Sequence, residues 1–398
     1  MATYLKLFET HTQYETFIGG GGVTPFIKPN VSYCTEENEV YYNPIPDYSK
    51  DYLTFVALEN TTFTFAPSGG NVISYSIDNG HTWSEGNSVG LTKDSKVLWR
   101  GEMTPKSENG VGTFSSTGRF EAQGNIMSLL FGADFKGQTD LTGKNYAFCG
   151  LFSSNSNLVN VQNLSLSATT LASSCYQSMF EGCKSLVNAP TLPATTLASS
   201  CYRYMFNGCT SLTTAPTLPA TTLASSCYNG MFYGCTSLKT APTLPATTLA
   251  SSCYQSMFNG CTSLKTAPTL PATTLATSCY YSMFSGCTSL TTAPELPTTT
   301  LATSCYYSMF YGCTRLTTAP TLPATTLASN CYSDMFYGCS SLNYIKCLAT
   351  NISATSCLDI WVEGVDSSGT FVKAASMTSW TTGPSGIPSG WTVQDVTV

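Results

Sequence analysis

Charged side chains are scarce in this chain of 398 residues: Asp, Glu, Lys and Arg together make 10% of it, under half the share usual in globular proteins. They are also unevenly placed. Residues 1–174 carry 10 Lys and Arg against 16 Asp and Glu, residues 175–356 carry 6 against 3, and residues 357–398 carry 1 against 4. No segment has the clustered Lys/Arg run that neutralising a phosphate backbone requires, so nucleic acid is not an expected partner. With two histidines, His11 and His81, and four arginines, Arg100, Arg119, Arg203 and Arg315, the chain is poor in the side chains that ligate zinc or clamp an anionic substrate. A Gly-rich phosphate loop is missing too, and neither a metal nor a cofactor is expected. No run approaches 18 uninterrupted apolar residues, which argues against membrane insertion. The opening MATYLKLFETHTQYE has no basic region followed by an apolar one, so Sec export by a leader in this segment is not expected.

Cysteine, by contrast, is abundant, and it is periodic. A cysteine returns every 26 residues at 175, 201, 227, 253, 279, 305, 331 and 357, enclosing seven copies of one unit such as Cys201 to Ser226, CYRYMFNGCTSLTTAPTLPATTLASS. A period in this range marks a solenoid, whose units bury their apolar faces by stacking on one another. A second column follows eight residues on, from Cys183 to Cys339. The C-x7-C spacing fits no zinc motif, and 17 of the 18 cysteines lie at or beyond Cys149. They are expected to be buried, reduced core thiols; the alternative is disulfides between coils, since stacked Cα atoms about 5 Å apart fall in the allowed window.

Within a unit, the Ser-Ser before each Cys is expected to cap a short helix or 3-10 turn. Cys-Tyr-x-x-Met-Phe continues that turn, and the Gly after it ends it. Leu212-Thr-Thr-Ala215 reads as a short strand, and Pro216 and Pro219, lacking N–H donors, mark its end. Eight or so coils at a strand spacing of about 4.8 Å would build a rod on the order of 40 Å long.

The unit resembles the BspA-like leucine-rich repeat: Phe206-Asn-Gly-Cys-Thr-Ser-Leu212 and Leu218-Pro219 reproduce its pattern, over roughly residues 145–398. The resemblance implies a right-handed leucine-rich-repeat solenoid with 26-residue coils and terminal caps. It also implies a surface role, since such repeats are frequent in surface proteins of gut Bacteroidales and in their tailed phages. Leu7-Phe-Glu-Thr10 with Pro29-Asn-Val-Ser-Tyr33 looks like the start of virion proteins of such phages, crAss-like ones among them. That likeness implies a structural, host-contacting role at a virion surface, with a bacterial cell-surface adhesin as the alternative.

Residues 1–50 read as an attachment segment. Thr10-x-x-Gln13 with Tyr14, Phe17 and Ile18 suggests a short helix stopped by glycines, and the stretch from Asn30 to Asn43 reads as a β-hairpin. Residues 51–132 alternate short β-branched and aromatic runs with turn signals, as in Thr61-Thr-Phe-Thr-Phe65 and Ser68-Gly-Gly-Asn71. That pattern suggests a small antiparallel β-sandwich. Residues 133–174 then form an N-terminal cap and a divergent first coil, in which Leu151–Leu158 aligns with Met179–Leu186 at an offset of 28. Residues 175–356 hold the seven units, and residues 357–398, with Trp361, Phe371, Trp380 and Trp391, form a C-terminal cap. The expected fold class is mixed β and α/β.

Candidate sites are few. Ser76-Ile-Asp-Asn-Gly-His-Thr-Trp83 matches an Asp-box, which resembles the hairpin turns of sialidases, where it is structural. It occurs once here, and an arginine triad is out of reach. The repeats hold Glu181, Glu295 and Asp334 as their only acids, in three different columns, so no carboxylate pair for glycan cleavage forms there. No catalytic residue is expected. What varies between copies is confined to a few columns, carrying Arg203, Tyr204, Tyr233, Tyr281, Tyr307, Tyr311 and Tyr337. One reading is an ordinary solvated face. The other is a recognition stripe for a host-surface glycan or protein, with tyrosines supplying contact area. The remaining partners expected are other virion proteins, through residues 1–50, and a second copy in a homo-oligomer.

Overall fold

The computed structural model describes residues 50–397 in full. Within residues 1–49 it describes the backbone of four strands alone: β1 (Leu5–Thr10), β2 (Gln13–Thr16), β3 (Val31–Glu36) and β4 (Glu39–Pro44). By contact density the chain divides into two units, Met1–Tyr48 and Ser49–Val398.

The first unit is a sheet in the order β2-β1-β4-β3. The hairpin pairs Val31 with Pro44 through to Glu36 with Glu39. The expected helix does not form over the residues described: Gln13–Thr16 is extended and pairs antiparallel with β1, Tyr14 opposite Phe8. Sheet pairing with a nearby strand overrides the local capping signal, as tertiary context commonly does. Phe17 and Ile18 lie outside the described residues.

The second unit opens with two sheets. One contains β5 (Leu53–Ala57), β7 (Ser74–Ser76), β8 (Ser84–Glu85), β10 (Lys96–Arg100) and β12 (Phe120–Asn125); the other contains β6 (Thr61–Pro67), β9 (Ser88–Leu91) and β11 (Gly112–Ser116). β6 alternates buried and exposed residues, the pattern of a strand with one wet face. Phe55 and Phe120 of the first sheet meet Phe63 and Phe114 of the second, with ring centroids 4.8–5.2 Å apart. The first sheet does not stop at residue 132: β12 also pairs in parallel with β13 (Leu158–Asn160) and β14 (Leu164–Ser165). The first sheet and the first coil are therefore one hydrogen-bonded sheet, and both opening sheets share a core with the coil.

Along the repeats the chain is mostly β and turn, with few helices. Among the described residues the one α-helix, α1 (Ser128–Phe131), has 4 residues. The turn-capped helix expected in each coil is absent. In its place Ala198–Cys209 forms overlapping four-residue turns, in which Cys201, Arg203, Met205, Asn207 and Cys209 N–H each donate to the carbonyl three residues back. The intervening N–H groups, of Tyr202, Tyr204, Phe206 and Gly208, donate to Cys227, Asn229, Met231 and Tyr233 carbonyls of the next coil. Every fourth residue stands at positive φ: Ser200 at 54°, Tyr204 at 54°, Gly208 at 70°. An α-helix would satisfy all these donors within itself; the ribbon sends half of them to a neighbour that offers acceptors in the same register. The Ser-Ser pair serves this arrangement. Ser199 Oγ donates to Ser225 O at 3.2 Å, and Ser200 takes the left-handed position.

The turns bury residues in pairs, so Cys-Tyr and Met-Phe face inward while the two residues after each pair face out. Inside, the Tyr column from Tyr176 to Tyr332 stacks at 5.7–6.1 Å and the Phe column from Phe152 to Phe336 at 5.5–5.8 Å. Phe152 lies on Phe180, 28 residues on. Seventeen cysteines, Cys149 to Cys357, are buried and free. Each thiol of the second column, from Cys183 to Cys339, donates to the Phe carbonyl of the preceding coil at 3.0–3.1 Å.

Prolines decide where strands form. Through the Ala-Pro-Thr-Leu-Pro segments neighbouring coils are joined by single parallel bridges, such as Thr214 to Thr240 and Thr266 to Thr292. Where Lys346 and Ala349 replace the two prolines, a continuous strand appears, β15 (Tyr344–Cys347). It pairs in parallel with β16 (Thr370–Ala374), which pairs with β17 (Thr392–Val396). Restoring the N–H donors restores the ladder. The last coil is closed by Trp361, fully buried against Tyr332, Phe336, Phe371 and Trp380, with its Nε1 donating to Gly386 O at 2.8 Å.

Candidate binding face

The variable columns lie in the two outward pairs of the turn ribbon, two, three and six residues after the opening cysteine; the seventh position is glycine in every copy. Because adjacent coils are held by backbone hydrogen bonds through these same residues, as in Ser282 N to Tyr307 O at 2.8 Å, side chains of one column stand in register one coil apart.

Tyr281 and Tyr307 stack with centroids 4.7 Å apart and planes 2° from parallel, and Tyr311 and Tyr337 do the same at 4.8 Å and 3°. Each pair spends its facing ring surfaces on its partner. At 4.7–4.8 Å no third ring fits between them. Tyr307 lies near the Asp334 carboxylate of the next coil, and the pull of that carboxylate on the phenol proton, with partial burial, pushes the Tyr307 pKa up to about 12. Tyr233 and Tyr311 are the two most exposed of these rings, at 42% and 40%. Tyr233 stands in the column of Tyr311 and Tyr337 but is separated from them by Asn259 and Ser285.

The stripe is not uniformly solvated. Arg203 and Tyr204 are half-buried, and the guanidinium carbon of Arg203 sits 4.9 Å from the Tyr204 ring centre. Asn229 and Ser333 are buried. Polar neighbours bond along the columns, Asn207 Nδ2 to Glu181 Oε1 at 2.9 Å and Asn229 Nδ2 to Gln255 Oε1 at 3.1 Å. Sequence variation marked the outward columns; it did not reveal that most of their members are spent on one another. The 26-residue spacing of Tyr281 to Tyr307 and Tyr311 to Tyr337 was the available signal for stacking.

The Asp-box is a self-contained turn. Asp78 accepts from Thr82 N at 2.9 Å, Thr82 Oγ1 at 2.6 Å and Ser76 Oγ at 2.7 Å, and Ser76 Oγ in turn accepts from Gly80 N at 2.8 Å. The Thr82 bonds, above all, hold the Asp78 carboxyl well below the usual range. Trp83 packs 4.8 Å from Tyr52, and Arg100 covers its other side at 4.1 Å. The side chains of Ser76, Asp78 and Thr82 are thus engaged with one another in the turn.

Two cavities bear on catalysis. The cleft beside the first coil is lined by Pro67, Gly69, Asn109, Cys149 and Ser153, with Glu108 as its single carboxylate. The C-terminal cavity carries Glu363 and Asp366, but Asp366 accepts from Ser368 N at 3.1 Å in a turn and its carbonyl takes the Trp391 indole N–H at 2.8 Å. Among the described residues no group of His, Cys, Asp and Glu could hold a metal ion, and no helix is long and apolar enough to cross a membrane.

The family model for the BspA type leucine rich repeat region matches this chain in 6 copies, over residues 152–291 and 269–357. No curated protein and no solved structure matches the chain.

Proposed function

Because the chain belongs to the family of BspA-type leucine-rich-repeat proteins, a surface and adhesion class of repeat protein, we propose that it is a non-enzymatic host-attachment component of a bacteriophage virion. Its coils form a right-handed solenoid displayed from the particle, while the two packed sheets after residue 50 serve as a small sandwich that positions it. Residues 1–48 carry the docking to other virion proteins, and a second copy is a further candidate partner. The likeness of Leu7–Thr10 and Pro29–Tyr33 to phage virion proteins favours a particle over a bacterial cell surface.

One observation carries the binding role. In coils otherwise nearly identical, aromatic residues occur in pairs one coil apart, Tyr281 with Tyr307 and Tyr311 with Tyr337, and the pairs are stacked and outward. Rigid phenols fixed in this way present hydroxyls and edges at low entropic cost, which suits a glycan or protein surface. The non-enzymatic reading is supported by the lone Glu108 of the cleft and by the engagement of Asp366 in a turn.

The test is direct. Replacing Tyr281, Tyr307 and Tyr311 together by Ser should abolish attachment to host cells while lowering the melting temperature only a little, since a lost hot-spot ring typically costs about 2 kcal/mol or more of binding and a stacked pair about 0.5–1.5 kcal/mol of stability. Normal attachment by that variant would return the stripe to an ordinary solvated face. Deleting residues 1–48 should leave a folded protein that no longer joins particles; normal incorporation would refute the docking role. Reducing ends released from host glycan by the intact protein would favour a glycan-cleaving enzyme, and mass spectrometry of purified particles separates a virion protein from a bacterial adhesin.

A further inference from the structure

Between Cys175 and Ser356 the repeats carry six cations, and four of them fall on one edge of the stack. Lys184, Lys239, Lys265 and Arg315 stand nine to twelve residues after the opening cysteine of their coils, in the corner that follows the second cysteine, and all four are exposed. The hydrogen bonds between coils fix this placement. Thr210 Oγ1 donates to Lys184 O at 3.4 Å, Lys239 N to Thr213 O at 3.5 Å, and Thr291 N to Lys265 O at 3.2 Å, so each of the three lysines has a neighbouring coil's threonine beside it. None of the four has a salt-bridge partner among the described residues. The three acids of the repeats lie elsewhere: Glu181 is held by Asn207, Asp334 by Ser333, and Glu295 lies in the proline segment. The first acid on this edge is Asp366, two coils beyond Arg315.

Lys184, Lys239, Lys265 and Arg315 are two, one and two coils apart along the stack; Lys239 and Lys265 share one column, and Lys184 and Arg315 stand three and two residues earlier in their coils. With the outer rings 4.7–4.8 Å apart per coil, the separations along the stack axis are about 10, 5 and 10 Å. Between the cations the corner presents hydroxyls, the column Thr210, Thr236, Thr262, Thr288 and Thr314. Like charges lined up without counter-charges raise the local potential and draw a ligand of opposite sign.

We propose that this edge binds a linear anionic polysaccharide, its carboxylates or sulfates on the four cations and its hydroxyls against the threonines. A hexose unit is about as long as one coil is thick, so a chain lying along the stack meets a cation at every first or second sugar. Duplex nucleic acid, with a charge every ~1.7 Å of axis, would call for a far denser basic surface. The ligand class follows from the edge itself and does not depend on the tyrosine columns or on a virion setting.

Binding of the purified full chain to heparin oligosaccharides and to polygalacturonate, compared with neutral dextran and duplex DNA, tests this. Both polyanions should bind, and more weakly as salt rises from about 50 to about 200 mM. Lys239→Thr with Lys265→Thr should weaken binding about tenfold, Lys239→Arg with Lys265→Arg should retain it, and Lys93→Thr with Lys136→Thr, away from this edge, should leave it intact. All variants should melt as the parent does. No binding to either polyanion at low salt, no loss in the Thr pair, or DNA bound as tightly as the polysaccharides would each overturn the proposal.

Discussion

The ring of Tyr204 fills the space that a side chain on Gly230 would need: a Cβ on Gly230 would lie 2.1 Å from the Tyr204 ring. The two residues occupy the same turn position in adjacent coils, at φ 54° and 59°. Elsewhere in that column Ser178, Ser256, Ser282 and Ser308 hold the same conformation at 49–53°, so serine itself is accepted there.

Gly230→Ser should therefore destabilise mainly through the clash, by about 1–3 kcal/mol, with a smaller backbone cost for an L-residue at φ 59°. In the background Tyr204→Ser that cost should largely vanish, a coupling of about 0.5–3 kcal/mol in a double-mutant cycle from denaturant melts. Additive effects would show that the ring yields freely.

The thiols should make the fold sensitive to alkali. Burial pushes Cys175, Cys183, Cys227, Cys235 and Cys287 up to about 12 from an ordinary 9.0. A raised folded-state pKa means that the unfolded chain loses the proton first. The stability from neutral buried thiols is thus complete below about pH 9 and lost as pH rises towards about 12, at up to ~1.4 kcal/mol per thiol and pH unit. Urea midpoints should be flat from pH 7 to 8.5 and fall steeply above; a flat profile to pH 10.5 would contradict burial of the column. Alkylation at pH 8 without reductant should modify most thiols in denaturant and few in the native protein, and mostly blocked thiols in denaturant would sink the reduced-core reading.

Leu238 is fully buried in the middle of the stack. Leu238→Asp places an unpaired carboxylate there, at a cost of several kcal/mol. Because each coil is stable only against its neighbours, circular dichroism should show loss of more than one coil, and an unchanged melting profile would mean that the column is open to water.

Trp361→Ala should cost about 3–5 kcal/mol, because the indole is fully buried between the end of the Tyr and Phe columns and Trp380. Loss at an end differs from loss in the middle: hydrogen exchange should rise in β15, β16 and β17 while the coils around Cys201 stay protected. Uniform exchange along the chain would argue against stepwise stacking.

Much of this molecule was legible as text. The column of cysteines, the inward Leu212 and Leu238, the prolines as strand breakers and the aromatic end at Trp361 follow from period, polarity and the missing proline N–H. The helical turn in each coil did not follow. Cys-Tyr-x-x-Met-Phe has the spacing of a helix and of a ribbon of turns alike, and the difference lies in where Tyr202 and Phe206 send their N–H groups. The same holds for the candidate faces. Tyr281 and Tyr307 read as two free rings and are one stacked pair; Lys239 and Lys265 read as separate charges and stand in one column of adjacent coils.

The 26-residue repeat by itself determined that identical groups recur in line, because a regular period admits one stacking register, and it determined which residues are inside, because only apolar columns can be buried at every coil. Tertiary structure alone decided the conformation of each turn and the availability of each outward side chain. Both depend on the neighbouring coil. It supplies the acceptors that make a turn ribbon better satisfied than a helix, and it brings side chains 26 residues apart close enough for one ring to cover another or one cation to extend a line of cations.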